Sequence, residues 1–221
     1  MTIAAVTLSH GETEALATKA ARGAGMDWGL AEEAGRAARR LSERGRDGLF
    51  ALLGHLEEVD DWAGWRPRIE ARRWTAPSGT LCPIALGATL CDHADLSQGP
   101  LLGGPIETGP VNRPLLLAPF LMRMSGGGVA IVARWPTPDG PREATLASDH
   151  PPGPWATLAR CELVVAARRR ERPERMERPA AAAPCAVSAA TIAGLDAFAM
   201  RTTVPASQAS RAGAGAGRDD D

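Results

Sequence analysis

Leu30, Ala34, Ala37, Ala38 and Leu41 recur at the three-and-four spacing of a helix, and most of that stripe is alanine. A stripe of small residues buries too little area to hold a helix by itself, so it must lie close against another element. Glu32 and Glu33 come early and Arg39 and Arg40 late, as the helix dipole favours, and Gly45 supplies a stop. Upstream, Ser9 and Glu12 have the spacing of a capping box, and Leu16, Ala17, Ala20 and Ala21 form a second small-residue stripe. This predicts a helix from about Glu12 to Arg22, stopped at Gly23-Ala24-Gly25. Asp47 caps a third helix built on Leu49, Phe50, Leu52, Leu53 and Leu56. Residues 1–60 therefore read as a helical layer.

Beyond Trp65 the pattern changes to short apolar runs broken by Pro and Gly. The runs Leu115 to Met122 and Val129 to Trp135 flank Ser125-Gly126-Gly127-Gly128 and read as a hairpin. Residues 136–141 make the next turn, and Glu143 to Ala147 and Cys161 to Arg168 read as strands. Leu81 to Leu96 reads either as a strand or as a strand followed by a short helix, because periodicity does not separate these for short apolar runs. Residues 65–170 form a β-rich body with a mostly antiparallel sheet. Residues 171–184, dense in Arg, Glu and Pro, form a linker, and 188–221 hold a helix capped by Ser188 and a glycine-rich tail. The fold class is α+β, and 1–221 is a single unit.

The chain has 221 residues, enough to bury a core without metal or disulfide, and a net charge of -1. Nothing in that charge attracts nucleic acid or an anionic membrane surface. Lys19 is the only lysine and Tyr is absent, the mark of a GC-rich genome rather than of a basic surface. No stretch approaches the roughly 20 apolar residues that span a bilayer, and no secretory leader is evident, so the expected location is cytoplasmic. Cys82, Cys91, Cys161 and Cys185 are then expected as thiols.

The tail is the strongest candidate for binding. Gly213, Gly215 and Gly217 lack the helix and third small residue of a dinucleotide loop, and no Gly-Lys-Ser/Thr is present. An extended glycine backbone with Ser207, Ser210 and Arg211 nevertheless makes a nest for carboxylate or phosphate. The opposing reading is a solubilising end carrying Asp219, Asp220 and Asp221. Lys19, Arg22 and Arg113 add charge if the fold brings them near.

Cys82, Cys91 and His93 have the side chains of a zinc or iron site, with 91 and 93 on one side of a strand. The tight Cys pairs of such sites are missing, so two buried thiols are the better reading, and no metal or cofactor is expected. His10, His55 and His150 are scattered. His55 is expected as a cation at a helix end, and Glu57, Glu58, Asp60 and Asp61 as a solvated acidic cluster. Trp62, Trp65 and Trp74 alternate with Arg66, Arg68, Arg72 and Arg73, and core tryptophans edged by arginines are expected. Residues 99–110, with Gly103-Gly104-Pro105, read as a loop beside a cleft.

Residues 14–25, from Glu14-Ala15-Leu16 to Gly23-Ala24-Gly25, and Trp28-Gly29-Leu30-Ala31-Glu32-Glu33-Ala34 resemble the opening of a bacterial family known only as a domain of unknown function. Cys82-Pro83-Ile84, residues 114–120, and Val204-Pro205-Ala206-Ser207 through Gly217 are similar to its later blocks. The chain departs from that pattern at Thr203, Gln208 and Arg218. The resemblance implies a cytoplasmic bacterial protein and carries over no catalytic residue. The expected function is binding or transformation of a small anionic metabolite by Ser207, Ser210, Arg211 and the Gly213 to Gly217 amides. The alternative is a non-catalytic accessory protein whose tail mediates assembly with a protein partner or a second copy.

Overall fold

Local signals place the first three helices. The computed structural model describes residues 5–146, 151–170 and 186–202. After a short strand, β1 (Ala5–Thr7), helix α1 (His10–Gly23) opens with the expected capping box: Glu12 N donates to Ser9 Oγ at 3.2 Å and Ser9 N to Glu12 Oε2 at 2.8 Å. Helix α2 (Trp28–Ser42) buries Ala31, Ala34, Ala37, Ala38 and Leu41, and α3 (Gly48–Glu58) starts where Phe50 N donates to Asp47 Oδ1 at 2.9 Å. The small-residue stripes meet as their composition requires. A Cβ at Gly35 of α2 would overlap the Thr18 hydroxyl and crowd the Glu14 carbonyl of α1, so only glycine allows this approach.

Strands β2 (Arg68–Glu70) and β3 (Arg73–Thr75) form a hairpin, and helix α4 (Pro83–Asp92) follows. Strand β4 (Ile106–Thr108) lies inside the stretch read as a loop. It pairs parallel to β3, and its Ile106 and Thr108 are buried, so it belongs to the sheet rather than to a cleft edge. Strand β5 (Val111–Asn112) leads into a 3₁₀ turn, Pro114–Leu117, and helix α5 (Ala118–Met124).

That turn and helix correct the expected hairpin at 115–135. Leu115, Leu116, Leu117, Ala118, Phe120 and Leu121 are all buried, without the alternation of a one-sided strand. Pro114 and Pro119 each occupy a first helical turn, where the missing N–H costs nothing, whereas inside a sheet each would remove a ladder bond. Strand β6 (Val129–Trp135) instead pairs with β7 (Arg142–Leu146), so residues 136–141 form the hairpin turn.

A 3₁₀ turn, Gly153–Ala156, precedes β8 (Arg160–Cys161) and β9 (Val164–Arg169), which split the single strand expected there. The main sheet has the order β2-β3-β4-β9-β6-β7 and is antiparallel except between β3 and β4. Strand β10 (Ala186–Ser188) pairs with β1, and Thr191 N donates to Ser188 Oγ at 3.1 Å to cap α6 (Ala189–Ala199). Helix α6 packs on α1 and α3, while α5 packs on α2, α4 and the β6–β7 end of the sheet. Trp74 and Trp155 are fully buried and Trp65 nearly so, as core tryptophans. The whole linker read at 171–184, together with Cys185 and His150, lies outside the described residues, as do Ser207, Ser210, Arg211, Gly213, Gly215 and Gly217 of the tail.

Candidate functional site

Where α3, α4 and β5 meet, three polar side chains line up in the core. His55, on the buried face of α3, has its Nε2 3.2 Å from Cys82 Sγ and its Nδ1 3.0 Å from Asn112 Oδ1. His55 and Asn112 have no solvent exposure, and Cys82 is 2 % exposed. Trp62 and Trp65 stand edge-on to the imidazole, each with ring centroids 5.7 Å away.

The chain of donors fixes the tautomer. Asn112 Nδ2 donates to Glu58 Oε2 at 2.7 Å, and a carboxylate only accepts. The amide oxygen of Asn112 is thereby left facing His55, which must donate from Nδ1. Nε2 then carries the lone pair, aimed at the Cys82 thiol. Glu58 in turn accepts from Arg113 at 2.8 Å and from Arg160 at 3.0 Å. Burial pulls the Glu58 carboxyl upward, but hydrogen bonds from Asn112 and Arg160, with the Arg113 guanidinium beside them, hold it below the usual range. Gly54 makes the Arg113 position available, since a Cβ there would stand 2.8 Å from the guanidinium.

Burial sets the protonation state. It lowers the His55 pKa to about 4, against the opposing pull of the Asn112 hydrogen bond and the Glu58 charge. It raises the Cys82 thiol to about 11, although the first amides of α4 oppose it. Cys82 is the N-cap residue of that helix, with Ala85 N donating to Sγ at 3.5 Å. At neutral pH the pair is thus a neutral thiol donating to a neutral imidazole. A crevice of about 10 Å³, room for one water, reaches Cys82 between Met26, Asp27, Leu30, Trp62, Arg66 and Ala85. Trp62 Nε1 donates to the Ala24 carbonyl at 2.7 Å, and Arg66 pairs with Asp27 at the rim.

A second feature lies between α2 and α5: a cleft of about 260 Å³ lined by Arg40, Leu41, Arg44, Pro119, Met122, Arg123 and Ser125. Its lining carries three guanidiniums and no carboxylate. Arg44 Nη1 donates to the Arg40 carbonyl at 3.0 Å, and Glu33 stands 3.7 Å from Arg123 at the side. Leu41, Pro119 and Met122 give the cleft apolar wall beside the three arginines.

Several expected placements change. Cys91 and His93 are at the far end of α4 from Cys82, about 14 and about 17 Å along the axis at the helical rise. Cys91 Sγ donates toward the Phe120 carbonyl, and His93 Nδ1 lies 2.9 Å from the Thr89 carbonyl, so these three residues do not converge. The strand geometry that put 91 and 93 on one side gives way to a helix. Among the described residues no three His, Cys, Asp or Glu side chains are grouped to hold a metal. His55 is no helix-end cation, because its side chain faces the core, and Glu58 is no idle solvated charge. Arg113 is engaged with Glu58, and Arg22 donates to the Met26 carbonyl. Asn112 carried no sequence signal, being a polar residue in a two-residue strand 57 positions from its partner.

Residues 8–82 match the family described as a protein of unknown function, DUF3726. The matched stretch is that of a domain of unknown function: it contains α1 to α3, His55, Glu58 and Cys82, and ends short of the later blocks at 114–120 and 204–217. Among curated proteins none matches the chain. A solved structure, malate dehydrogenase from Entamoeba histolytica, is similar at 10% identity and a TM-score of 0.37, over 61% of this chain and 40% of that one. This chain thus spans less than half the length of that enzyme, and nothing about activity follows from a likeness at that level. No helix among the described residues is long and apolar enough to cross a membrane.

Proposed function

We propose that the protein is a cytoplasmic bacterial protein that binds or transforms a small anionic metabolite, a carboxylate or a phosphate. The observation that carries this reading is the cleft lined by Arg40, Arg44 and Arg123 with no acidic side chain in its wall. Guanidinium donors are planar and permanently charged, so several around one small volume favour an anion over a neutral ligand. Leu41, Pro119 and Met122 supply apolar wall for a short carbon skeleton. Ser207, Ser210, Arg211 and the amides of Gly213, Gly215 and Gly217 are proposed as a further set of donors to the same class of ligand.

Thermal-shift measurements with phosphate, pyrophosphate and small di- and tricarboxylates test the reading. At a concentration 100 times the dissociation constant a ligand adds about 2.7 kcal/mol of stability, a shift of several degrees. The shift is expected for the intact chain and is expected to vanish in the Arg40→Ala, Arg123→Ala double variant. An anion panel that shifts neither protein would overturn it.

A further inference from the structure

The Cys82, His55 and Asn112 alignment has the order of parts of an assisted nucleophile: a thiol, a base facing it, and a group that orients the base. A merely space-filling thiol needs no such partner, since free cysteine packs well as a small hydrophobe. Here the imidazole tautomer is imposed from outside the pair, by Asn112, which Glu58 orients, and Glu58 is itself held by Arg113 and Arg160. The result points an imidazole lone pair at a sulfur that also caps a ten-residue helix, with the Ala85 amide directed at it. Cys82 is also the residue of this group that lines the crevice leading outward past Trp62 and Arg66.

We propose that Cys82 is a nucleophile, with His55 as its base, that accepts an acyl group from a small activated ester or thioester entering through this crevice. Cys82 Sγ bonds to the carbonyl carbon while its proton passes to His55 Nε2. The ester C–O or thioester C–S bond breaks, and the departing oxygen or sulfur takes that proton from Nε2. A water molecule then attacks the acyl-Cys82 carbonyl, giving one proton to Nε2, and the C–S bond breaks with that proton returning to Sγ. The carboxylic acid is released and the resting thiol and imidazole are restored. Asn112 and Glu58 are positioning residues that keep the lone pair on Nε2. The helix amides beside Cys82 face the charge that develops there. Entry requires the half-buried Trp62 to leave its hydrogen bond to Ala24 and the exposed Arg66 to part from Asp27.

The test uses p-nitrophenyl acetate on the full chain, following nitrophenolate release and mapping acetylated peptides. One acetyl group is expected on Cys82, with Cys91 and Cys161 unmodified in the early phase. Charged groups around the imidazole are Glu58 on its own helix, Arg113 after β5, and Arg66, which lies near the thiol. With His55 neutral above about pH 4, the Cys82 acetylation rate is expected to stay level from about pH 6 to pH 8. An unassisted thiol in that range instead gains about tenfold per pH unit, following its thiolate fraction. His55→Gln is expected to slow Cys82 labelling at least 100-fold at pH 7 and to convert the level profile to the tenfold slope. Cys91→Ser with Cys161→Ser is expected to leave it unchanged. Acetyl groups on other residues with Cys82 unlabelled, or a tenfold slope per pH unit in the native protein, would overturn the proposal. Both of these readouts come from the native chain and need no variant to fold.

Discussion

His55 Nδ1 lies 3.0 Å from Asn112 Oδ1, joining the middle of a helix to a strand 57 residues later in a part of the core that water does not reach. Removing one member of such a buried pair leaves the other without a partner, which costs more than the bond itself is worth. Asn112→Ala strands His55 Nδ1–H and removes one of the donors to Glu58, which keeps Arg113 and Arg160; it is expected to lower stability by about 2 to 4 kcal/mol in urea unfolding. Asn112→Leu, similar in volume, leaves the same donor unmet and is expected to fall within the same range.

The same histidine predicts how stability depends on pH. Its folded-state value of about 4 lies below the ordinary 6.5, so the unfolded chain binds the extra proton between those values. The contribution is fully present above about pH 6.5 and is lost as pH falls through about 4, amounting to about 3 kcal/mol across that window. Denaturant melts at pH 4.5 and 7 should differ by an amount that shrinks in His55→Gln.

Gly54 predicts a second, purely steric effect. Gly54→Ala puts a methyl group 2.8 Å from the Arg113 guanidinium, which must swing away from Glu58. Because the Arg113 guanidinium is partly exposed and ends a long side chain that can shift, the expected loss is about 1 kcal/mol. The accompanying change is a weaker hold on Asn112, visible as faster amide exchange in β5.

Trp62 closes the way to Cys82, and Trp62→Phe removes the indole N–H that donates to the Ala24 carbonyl. The stability cost is expected to be about 1 kcal/mol. The rate at which iodoacetamide modifies Cys82 is expected to rise several-fold, read by mass spectrometry at pH 8.

Local chemistry was legible wherever it was enough. Ser9 with Glu12, Asp47 and Ser188 announced three helix starts because a cap satisfies amides within three residues of itself. The mixed α+β class and the antiparallel character of the sheet followed from the change in pattern near Trp65. The hairpin read at 115–135 failed because Leu115 to Met122 is buried on every side, which erases the periodicity that separates strand from helix. Cys82, Cys91 and His93, weighed in the sequence only as the weaker alternative to buried thiols, lie apart because helix α4 separates Cys82 from the other two.

The sequence by itself determined the helix caps, the small-residue faces that force α1 against α2, and the presence of a β-rich body after them. These depend on neighbours three or four positions apart, and their energies act before any distant contact exists. Only the tertiary structure decided that His55 would be a buried neutral base rather than a helix-end cation, and that Cys82 and Asn112 would flank it. That outcome rests on desolvation and on hydrogen bonds between residues 27 to 57 positions apart, which no local pattern encodes.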